Sequence, residues 1–360
     1  MTVAYFAPIP FDFLVQRPQC LARELSKWHD VYYIEPTISL MRRVLKGGEP
    51  LAGKRQDVSD SLHIIKLNGF FTAHRVFDIF DPLRINTVWE RLQMKKAMPP
   101  PDIVWVGYCG WYPVISGFPR IIYDRMDDNA LLVRHLLMRG QLARYDKKLI
   151  EKAGHVFSTA VRLHEESLLL NRQSHLVPNA VDSSFAQNSG SVSSISKDRK
   201  VFGYVGMISD WFDNEAILRI AEADEKHEVV LVGPNHIKKI RHPRVKYKGY
   251  IPKEALPGTI NDFDVCLYPF RQSRLLDTIN PVKIYEYLSL NKPVLAIDSK
   301  ELQSFGKLVV RYKTHNELEM LSKEHFSRPF ETEKAHENFI NENCWEQRGI
   351  AIQNILGGKA

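Results

Sequence analysis

Short apolar runs alternate with amphipathic stretches along the first half of the chain. Runs rich in β-branched and aromatic side chains are typical of buried strands. They predict strands at 3–7, 31–34, 62–67, 102–108, 120–123 and 155–160. Between them, residues spaced as on one helical face predict helices from Pro18 and at 130–138, 141–153 and 161–170. The helix from Pro18 is expected to turn Leu21, Ala22 and Leu25 inward.

The second half of the chain repeats this alternation. Apolar runs predict strands at 201–206, 228–232, 245–249, 265–268, 293–297 and 308–310. Helices are predicted at 214–223, at about 281–290, and from about 316 to the end. The serine-rich stretch 183–200 predicts a flexible linker between the two series. Because strands that alternate with helices are typical of parallel α/β sheets, we expect two Rossmann-like domains.

The composition is that of a soluble globular protein large enough for two domains. The 360 residues are 44% hydrophobic and 25% charged, and no run approaches the roughly 18 apolar residues of a transmembrane helix. The first ten residues lack the basic start and apolar run of a signal peptide. Four cysteines lie far apart without a Cys-x-x-Cys pair, which favours a reducing cytoplasm over disulfides or a zinc site.

Positive charge is concentrated in the first half. Of the net charge of +7, residues 1–176 contribute +6 (24 basic against 18 acidic) and the remainder +1 (25 against 24). A basic half suits nucleic acid, an anionic membrane or a substrate that carries pyrophosphate, whereas a modest excess also serves solubility alone.

Apolar and basic side chains are interleaved in the segment 70–98. Its basic residues include Arg75, Arg84, Arg91, Lys95 and Lys96. An amphipathic segment of this kind, broken at Pro82, could lie on an anionic bilayer. The alternative is a helix packed on its own domain core. Peripheral contact with an anionic membrane is therefore one prediction for this segment.

The stretch from Thr278 to Asp298, TINPVKIYEYLSLNKPVLAID, combines a helix start with a buried strand. Asn280 is a good N-cap, and Pro281 suits the first turn, where a missing N–H costs nothing. Lys283 and Glu286 would then lie one turn apart on one face. A helix N-terminus with a nearby lysine favours anions, and the carboxylate can accept hydrogen bonds from a sugar diol. The alternative is a surface ion pair between these two side chains.

The run Asn-Pro-Val-Lys-Ile-Tyr-Glu-Tyr-Leu at 280–288 resembles the donor-binding helix of GT-B glycosyltransferases of the group 1 type, which include bacterial polysaccharide and teichuronic-acid enzymes. The run Pro-Asn-Ala-Val-Asp at 178–182 is similar to the hinge of that fold, and CWEQRGIAIQNIL is similar to its terminal helix. The resemblance implies a GT-B fold with two Rossmann-like domains facing across a cleft. It places the domains at 1–182 and 201–340, and a terminal helix at 341–360 that returns to the first.

The resemblance further implies a nucleotide-sugar site in the second domain. Glu286 would bind the ribose hydroxyls, and the backbone at Tyr250 and Ile251 would meet the base. Many members carry a second glutamate where this chain has Thr278, so the glutamate pair is broken. The implied donor-binding residues are Gly206, Tyr250, Ile251, Arg271, Arg274, Thr278, Asn280, Pro281, Val282, Lys283 and Glu286. The basic side chains among them would bind the negatively charged diphosphate.

Candidate residues of the first domain follow predicted parallel strands, where α/β folds place ligands. The loop that contains Arg17 resembles the first loop of the same family, in which this arginine would face the cleft and meet a phosphate. The alternative is a solvated loop residue. Trp111 and Tyr112 follow the 102–108 strand and are expected in the cleft, towards the acceptor.

Three aspartates, Asp124, Asp127 and Asp128, follow the 120–123 strand just before the predicted 130–138 helix. A general base or a ligand of a sugar hydroxyl would be placed there, and the family carries a similar Tyr-Asp-x-x-Asp-Asp run. Alternatively, Asp127 or Asp128 caps the helix. One cap position and three acids leave at least one acid for the cleft.

These features predict a hexosyltransferase-type enzyme that moves a sugar from a nucleoside-diphosphate sugar, with UDP expected, to a lipid-linked or polysaccharide acceptor in cell-surface glycan biosynthesis. The resemblance implies catalysis without a metal, because helix dipoles and basic side chains hold the diphosphate. We expect no cofactor and no nucleic-acid partner, and a place in the cytoplasm, at the inner face of the plasma membrane. A nucleotide-sugar epimerase of GT-B fold and a non-catalytic nucleotide-sugar or polyanion-binding protein remain alternatives.

Overall fold

The computed structural model describes the chain over residues 1–39, 54–69, 83–182, 185 and 199–358. The chain divides into two compact units, one formed by Met1–Pro178 with Arg348–Ala360 and the other by Asn179–Gln347. Most of the predicted linker 183–200, and residues 70–82 of the predicted membrane segment, lie outside the described residues.

The first unit is an α/β layer built on an eight-stranded sheet. The strands of this unit are β1 Thr2–Phe6, β2 Asp30–Ile34, β3 Ile38–Ser39, β4 Lys54–Ser59, β5 Leu62–Lys66, β6 Asn68–Gly69, β7 Ile103–Val106, β8 Ile121–Arg125, β9 His155–Ser158 and β10 Ser174–Leu176. Its helices are α1 Arg17–Leu25, α2 Ile85–Ala97, α3 Tyr112–Ile115, α4 Leu136–Lys152 and α5 Val161–Leu168. The sheet order is β10-β9-β8-β7-β1-β2-β5-β4, with β4 antiparallel to β5, and β3 and β6 form a separate pair.

Strand β1 is the centre of this unit because its side chains are buried on both faces. Tyr5 stacks between Tyr33 and Trp105, with ring centroids 5.5 and 5.9 Å away, while Phe6 packs edge-on against Trp111 at 5.1 Å. The winding direction of the sheet reverses at β1, which pairs with β2 on one side and β7 on the other. Such a reversal leaves a crevice at the carboxyl ends of the strands, where α/β sheets bind ligands.

The second unit contains a six-stranded parallel sheet. Its strands are β11 Lys200–Val205, β12 His227–Val232, β13 Val245–Gly249, β14 Val265–Tyr268, β15 Val294–Ile297 and β16 Val310–Tyr312. Its helices are α6 Asn214–Ala223, α7 Leu256–Asn261, α8 Val282–Ser289, α9 His315–Lys323 and α10 Glu333–Glu342. The order β13-β12-β11-β14-β15-β16 places the reversal of winding between β11 and β14.

The last helix, α11 Trp345–Leu356, begins in the second unit and continues in the first. From Arg348 onward it belongs to the first unit, where the Arg348 Nε donates to the Pro178 carbonyl at 3.2 Å and Gln353 meets His29 at 2.7 Å. The terminal residues therefore complete the first unit rather than the second.

Most predicted elements are present, and two of the predictions are wrong. The helix at 130–138 does not form, because Asp128 closes a turn over the next residues and α4 begins only at Leu136. The strand placed at 308–310 lies at Val310–Tyr312 instead. Strand β4 escaped prediction because all six of its residues are exposed, so its sequence shows no alternation of apolar and polar residues.

Two further features of composition can be located in the structure. Cys20, Cys109, Cys266 and Cys344 are all buried free thiols. Among the described helices, none has both the length and the apolar character needed to span a bilayer.

Candidate functional site

The loop before α8 is held by a set of buried polar side chains. Thr278 ends a single 3-10 turn and donates its hydroxyl to the Leu275 carbonyl at 2.8 Å. Asn280 is buried, and its Oδ1 accepts the Asn179 N–H at 2.8 Å while its Nδ2 donates to the Glu301 carboxylate at 2.5 Å. The prediction that Asn280 caps the helix is therefore wrong, because its side chain is already bound on the other side.

Helix α8 starts one residue later than the sequence predicts. Pro281 occupies the N-cap with an extended backbone (φ −83°, ψ 106°) and Val282 is the first helical residue. Its apolar side chains are buried. The Tyr287 hydroxyl accepts the Val205 N–H at 2.9 Å, which ties the helix to the end of β11. Because α8 joins the parallel strands β14 and β15, its positive N-terminal end lies at the carboxyl edge of the sheet, and β14 borders the reversal of winding.

Lys283 and Glu286 form an ion pair on one side of α8. The Lys283 Nζ lies 2.7 Å from Glu286 Oε2, and the lysine side chain is 30% exposed against 9% for the glutamate. No described residue donates a hydrogen bond to Glu286 Oε1. The pair is not the surface ion pair of the alternative prediction, because the Glu286 carboxylate is buried and one of its oxygens is still available.

The other predicted donor residues lie in loops at the same edge of this sheet. Gly206 follows β11 with a φ of 155°, while Tyr250 is exposed and, with Ile251, follows β13. Arg271 and Arg274 are both exposed in the loop after β14, and the Arg271 N–H donates to the Trp211 carbonyl in the β11 loop at 2.8 Å. Four separate stretches of the sequence thus meet at one edge of this sheet.

Close backbone contact joins the loops after β11 and β12. The Gly206 N–H donates to the Val232 carbonyl at 2.9 Å, and the Gly233 N–H donates to the Gly249 carbonyl at 2.7 Å. A Cβ at Gly233 would lie 2.0 Å from the Gly206 carbonyl oxygen, and φ there is 131°. Only glycine fits this position. Gly233 is not among the predicted site residues, although a glycine directly after a buried strand is a recognisable signal.

In the first unit, Arg17 and Asp124 form a buried bidentate ion pair. The guanidinium donates from Nε to Oδ1 at 3.0 Å and to Oδ2 at 3.1 Å, and from Nη2 to Oδ1 at 2.7 Å. The Nη1 group donates to the carbonyls of Val177 and Pro178. Arg17 is 3% exposed, so the alternative of a solvated loop residue is wrong. Its charge is already neutralised by Asp124.

The other two aspartates of the cluster differ from each other. Asp128 Oδ1 accepts the N–H groups of Ala130 and Leu131 at 3.1 Å each, so it caps a turn rather than the predicted helix. Asp127 is half-buried, and no described residue donates a hydrogen bond to its carboxylate. Burial raises the pKa of Asp127 to about 6; Arg17 opposes the rise, whereas Asp124 and Asp128 add to it. A carboxyl group with a pKa near neutrality and no partner is suited to proton transfer.

Trp111 and Tyr112, both predicted to face the acceptor, differ in burial. Trp111 is completely buried, and its indole N–H donates to the Ala7 carbonyl at 2.8 Å. The prediction that it faces an acceptor is wrong, because it is a core residue of the first unit. Tyr112 is half-buried, stacks on Tyr145 at 5.5 Å and lies under Lys148.

The described residues contain no group of three or more histidine, cysteine, aspartate or glutamate side chains placed to hold a metal ion. An Asp-x-Asp sequence, Asp262-Phe263-Asp264, precedes β14. It lies at the amino edge of the sheet, and Asp264 Oδ2 accepts the Val201 N–H at 2.7 Å. The positive groups described at the carboxyl edge are the side chains of Lys283, Arg271 and Arg274 and the N-terminus of α8.

Glu301 is a further buried acid and is not among the predicted site residues. It is 2% exposed and accepts a hydrogen bond from Asn280, which fixes the loop that leads into α8. Nothing in the local sequence distinguishes it from a surface glutamate at the start of a helical turn.

No protein-family model matches the chain. It is 24% identical to the Bacillus subtilis (strain 168) protein TuaH, which is described as a candidate glycosyltransferase of teichuronic acid biosynthesis. That alignment covers 62% of this chain and spans 62% of the length of TuaH.

Solved structures are similar over nearly the whole chain. Sucrose-phosphate synthase from Thermosynechococcus elongatus superposes with a TM-score of 0.71 at 14% identity, covering 99% of this chain and 98% of that one. HepE from Anabaena in complex with UDP gives a TM-score of 0.65 at 12% identity, covering 99% and 100%. An E. coli trehalose-6-phosphate structure with bound UDP-2-fluoro glucose gives 0.68 at 10% identity, covering 99% of both. These neighbours are GT-B glycosyltransferases, so the expected fold class is confirmed. The chain has the GT-B fold.

Proposed function

We propose that the chain is a glycosyltransferase that takes a sugar from a UDP-sugar and transfers it to the hydroxyl of a glycan or lipid-linked acceptor. The observation that carries the proposal is the buried Glu286 with one available oxygen, paired with Lys283 at the open end of α8 on a GT-B fold. The structures of HepE with UDP, and with UDP and glucose, support the choice of nucleotide.

In the second unit, each group would bind a different part of the donor. Glu286 Oε1 would accept hydrogen bonds from the ribose diol, with its other oxygen held by Lys283. Lys283 keeps two N–H donors for the diphosphate, and the unpaired N–H groups at the start of α8 add partial positive charge. These groups, with Arg271 and Arg274, would stabilise the UDP that departs, which is the part of the reaction where negative charge accumulates.

In the first unit, Asp127 would act as the general base. As the acceptor oxygen bonds to the anomeric carbon and the bond to the UDP oxygen breaks, the hydroxyl proton passes to the Asp127 carboxylate. Arg17 and Asp124 would act as positioning residues, because they neutralise each other and set the charge around Asp127. Metal-independent catalysis is part of this proposal.

The proposal also includes a class of acceptor and a location for the enzyme. The similarity to TuaH supports an acceptor in cell-surface glycan biosynthesis. A lipid-linked or polysaccharide acceptor of that kind would place the enzyme at the inner face of the plasma membrane, in peripheral contact with anionic lipid.

Calorimetric titration of UDP and of uridine tests the donor site. Glu286→Gln keeps the shape of the side chain but weakens a charge-assisted hydrogen bond, so UDP and uridine should both lose about 1.5–3 kcal/mol of binding free energy. Glu337→Gln, an exposed acid on α10, is the matched control and should bind both ligands normally. Equal affinities of wild-type and Glu286→Gln protein would remove α8 as the ribose site.

A panel of nucleotide sugars separates transfer from the two alternatives. A transferase should release UDP faster when an acceptor is added, whereas an epimerase would convert the donor with no acceptor present. A binding protein would be stabilised against heat by the donor, by about 2.7 kcal/mol at 100 times the dissociation constant, and would never release UDP. The broken glutamate pair at Thr278 is the observation that keeps this last outcome open.

A further inference from the structure

Helix α2 has its polar face inside and part of its apolar face outside. Four of its five buried residues are polar, namely Asn86, Thr87, Glu90 and Gln93. On the opposite side Ile85, Val88 and Leu92 are each about half exposed. A helix that packs only on its own domain shows the reverse arrangement. The alternative in which this segment simply packs on its core therefore does not account for its exposed face.

The inward polar side chains of α2 are bound, so the arrangement is part of the fold. Gln93 exchanges two hydrogen bonds with the Asn68 backbone, at 3.0 and 2.7 Å. The Thr37 hydroxyl donates to the Glu90 carboxylate. Arg91, which the sequence grouped with the membrane-facing residues, instead donates to the Val114 carbonyl at 2.8 Å. Lys95 and Lys96 are exposed in the last turn.

Helix α4 shows a similar outward face at its start. Leu136 and Leu137 are 78% and 67% exposed. Arg139 and Arg144 are also exposed, and at 100° per residue each falls within a quarter turn of Leu136 around the helix axis. The inward residues of this helix are apolar. An exposed leucine pair beside two arginines is typical of helices that lie at a membrane interface.

The two helices cover the same side of the sheet. Met94 of α2 and Leu142, Tyr145 and Leu149 of α4 belong to one buried cluster. Their outward faces therefore lie on the same side of the first unit, and we call the two faces together the α2–α4 surface. It consists of apolar Ile85, Val88, Leu92, Leu136 and Leu137 and basic Lys95, Lys96, Arg139 and Arg144.

The acids of these two helices do not oppose the basic groups. Within the described residues of α2 and α4, Glu90 is buried, Asp146 is paired with Arg125 at 2.9 Å, and Glu151 lies 3.8 Å from Lys147. The surface is therefore apolar and cationic without an exposed unpaired acid, which complements an anionic bilayer.

We propose that the α2–α4 surface docks the first unit onto an anionic phospholipid bilayer. The five apolar side chains enter the acyl boundary, while the four basic side chains meet the phosphate groups. The proposal deepens the proposed function, because it names the partner that would supply a lipid-linked acceptor. Its physical basis is independent of nucleotide binding.

Sedimentation with vesicles of phosphatidylcholine and phosphatidylglycerol tests the electrostatic part. The wild-type chain should bind at low salt and be released as salt screens the charges. Lys95→Gln with Lys96→Gln, and Arg139→Gln with Arg144→Gln, should each weaken binding by about fivefold for every charge removed. Lys307→Gln with Lys313→Gln, exposed lysines of the second unit, should leave it unchanged. An equal loss in this control would overturn the assignment of the surface.

Insertion is tested with a fluorophore on a single cysteine. Because all four native thiols are buried, a cysteine introduced by Val88→Cys or Leu136→Cys can be labelled selectively under native conditions. With vesicles its emission should shift to the blue and be quenched by brominated lipid, whereas Met320→Cys, exposed on the second unit, should show no change.

Two results would overturn the proposal, and both are distinguishable from failure of the proposed function. No sedimentation at low salt excludes the bilayer. A stable dimer, lost in the Val88→Ser and Leu136→Ser variants, would show that a second copy covers the surface instead. UDP affinity measured on the same variants reports the second unit separately and should be unchanged.

Discussion

At the carboxyl edge of the first sheet, Arg17 and Asp124 are buried and paired with each other, whereas at the same edge of the second sheet Lys283 is partly exposed. Arg17 is bound by Asp124 and two carbonyls, while Lys283 has one partner and a side chain 30% exposed. The same α/β architecture thus supports two kinds of site. In the first, burial sets the protonation of Asp127; in the second, charge is left available for a ligand.

The largest effect is expected at Asp127. Asp127→Asn should lower turnover about 10²–10⁴-fold, because the base is lost while the shape is kept. With the wild-type chain, turnover should fall as pH drops below about 6, the pKa of this carboxyl. Full activity in Asp127→Asn, measured as UDP release, would place the base elsewhere.

Asp127→Asn should lower turnover but raise stability. The folded-state pKa of Asp127, about 6, lies above the unfolded value of 3.8, so the folded chain binds more protons in that window and wild-type stability falls as pH rises through it. Asp127→Asn should therefore raise the free energy of unfolding at pH 7 by at most about 3 kcal/mol, at about 1.4 kcal/mol per pKa unit. Urea unfolding should show no such gain below pH 3.8.

The pairing of Arg17 with Asp124 is tested by breaking it. Arg17→Met leaves a buried carboxylate without its partner and should cost about 3–5 kcal/mol in urea unfolding. Combining it with Asp124→Leu should recover much of that loss, since two apolar side chains need no counter-charge. A loss below 1 kcal/mol for the single variant would mean that Asp124 is solvated in solution.

Substitution of Lys283 tests whether the second unit, unlike the buried Arg17–Asp124 pair of the first, keeps a positive charge available for a ligand. Lys283→Met should weaken UDP binding by about 10–100-fold, as expected for loss of a charged hydrogen bond, and weaken uridine much less. Lys307→Met, an exposed lysine of the same unit, is the control. Calorimetry that found equal losses for UDP and uridine would show that the lysine only supports Glu286.

The smallest effect is expected at Asp128, whose carboxylate caps a turn. Asp128→Ala should cost about 1 kcal/mol of stability, whereas Asp128→Asn keeps the accepting oxygen and should cost less. Both variants should retain turnover once folded. Loss of turnover in Asp128→Asn would assign it a role beside Asp127.

The sequence predicted those parts of the fold in which side-chain burial follows a simple period. The helix at 214–223 and the strands at 245–249 and 265–268 have the predicted bounds, because their apolar spacing is uninterrupted. The helix at 130–138 failed because Asp128 offers the backbone a competing turn, which periodicity cannot weigh.

Site residues were harder to predict because their roles depend on partners distant in sequence. Asn280 suits a helix cap locally, but Asn179 and Glu301 bind it in the fold. Trp111 follows a strand as ligand-binding residues do, yet the Ala7 carbonyl holds it in the core. Arg17 and Asp124 are 107 positions apart, so their mutual neutralisation leaves no local signal.

The contact between Gly206 and Gly233 limits how this protein can be engineered. A loop exchange after β11 that aimed at new donor specificity would move the Gly206 carbonyl, which lies where any Cβ of residue 233 would have to go. Libraries that recombine the two loops independently should therefore yield mostly misfolded second units. Libraries that inherit both loops as one cassette keep the match and can diversify Met207 and Trp211, which are exposed in the loop after β11.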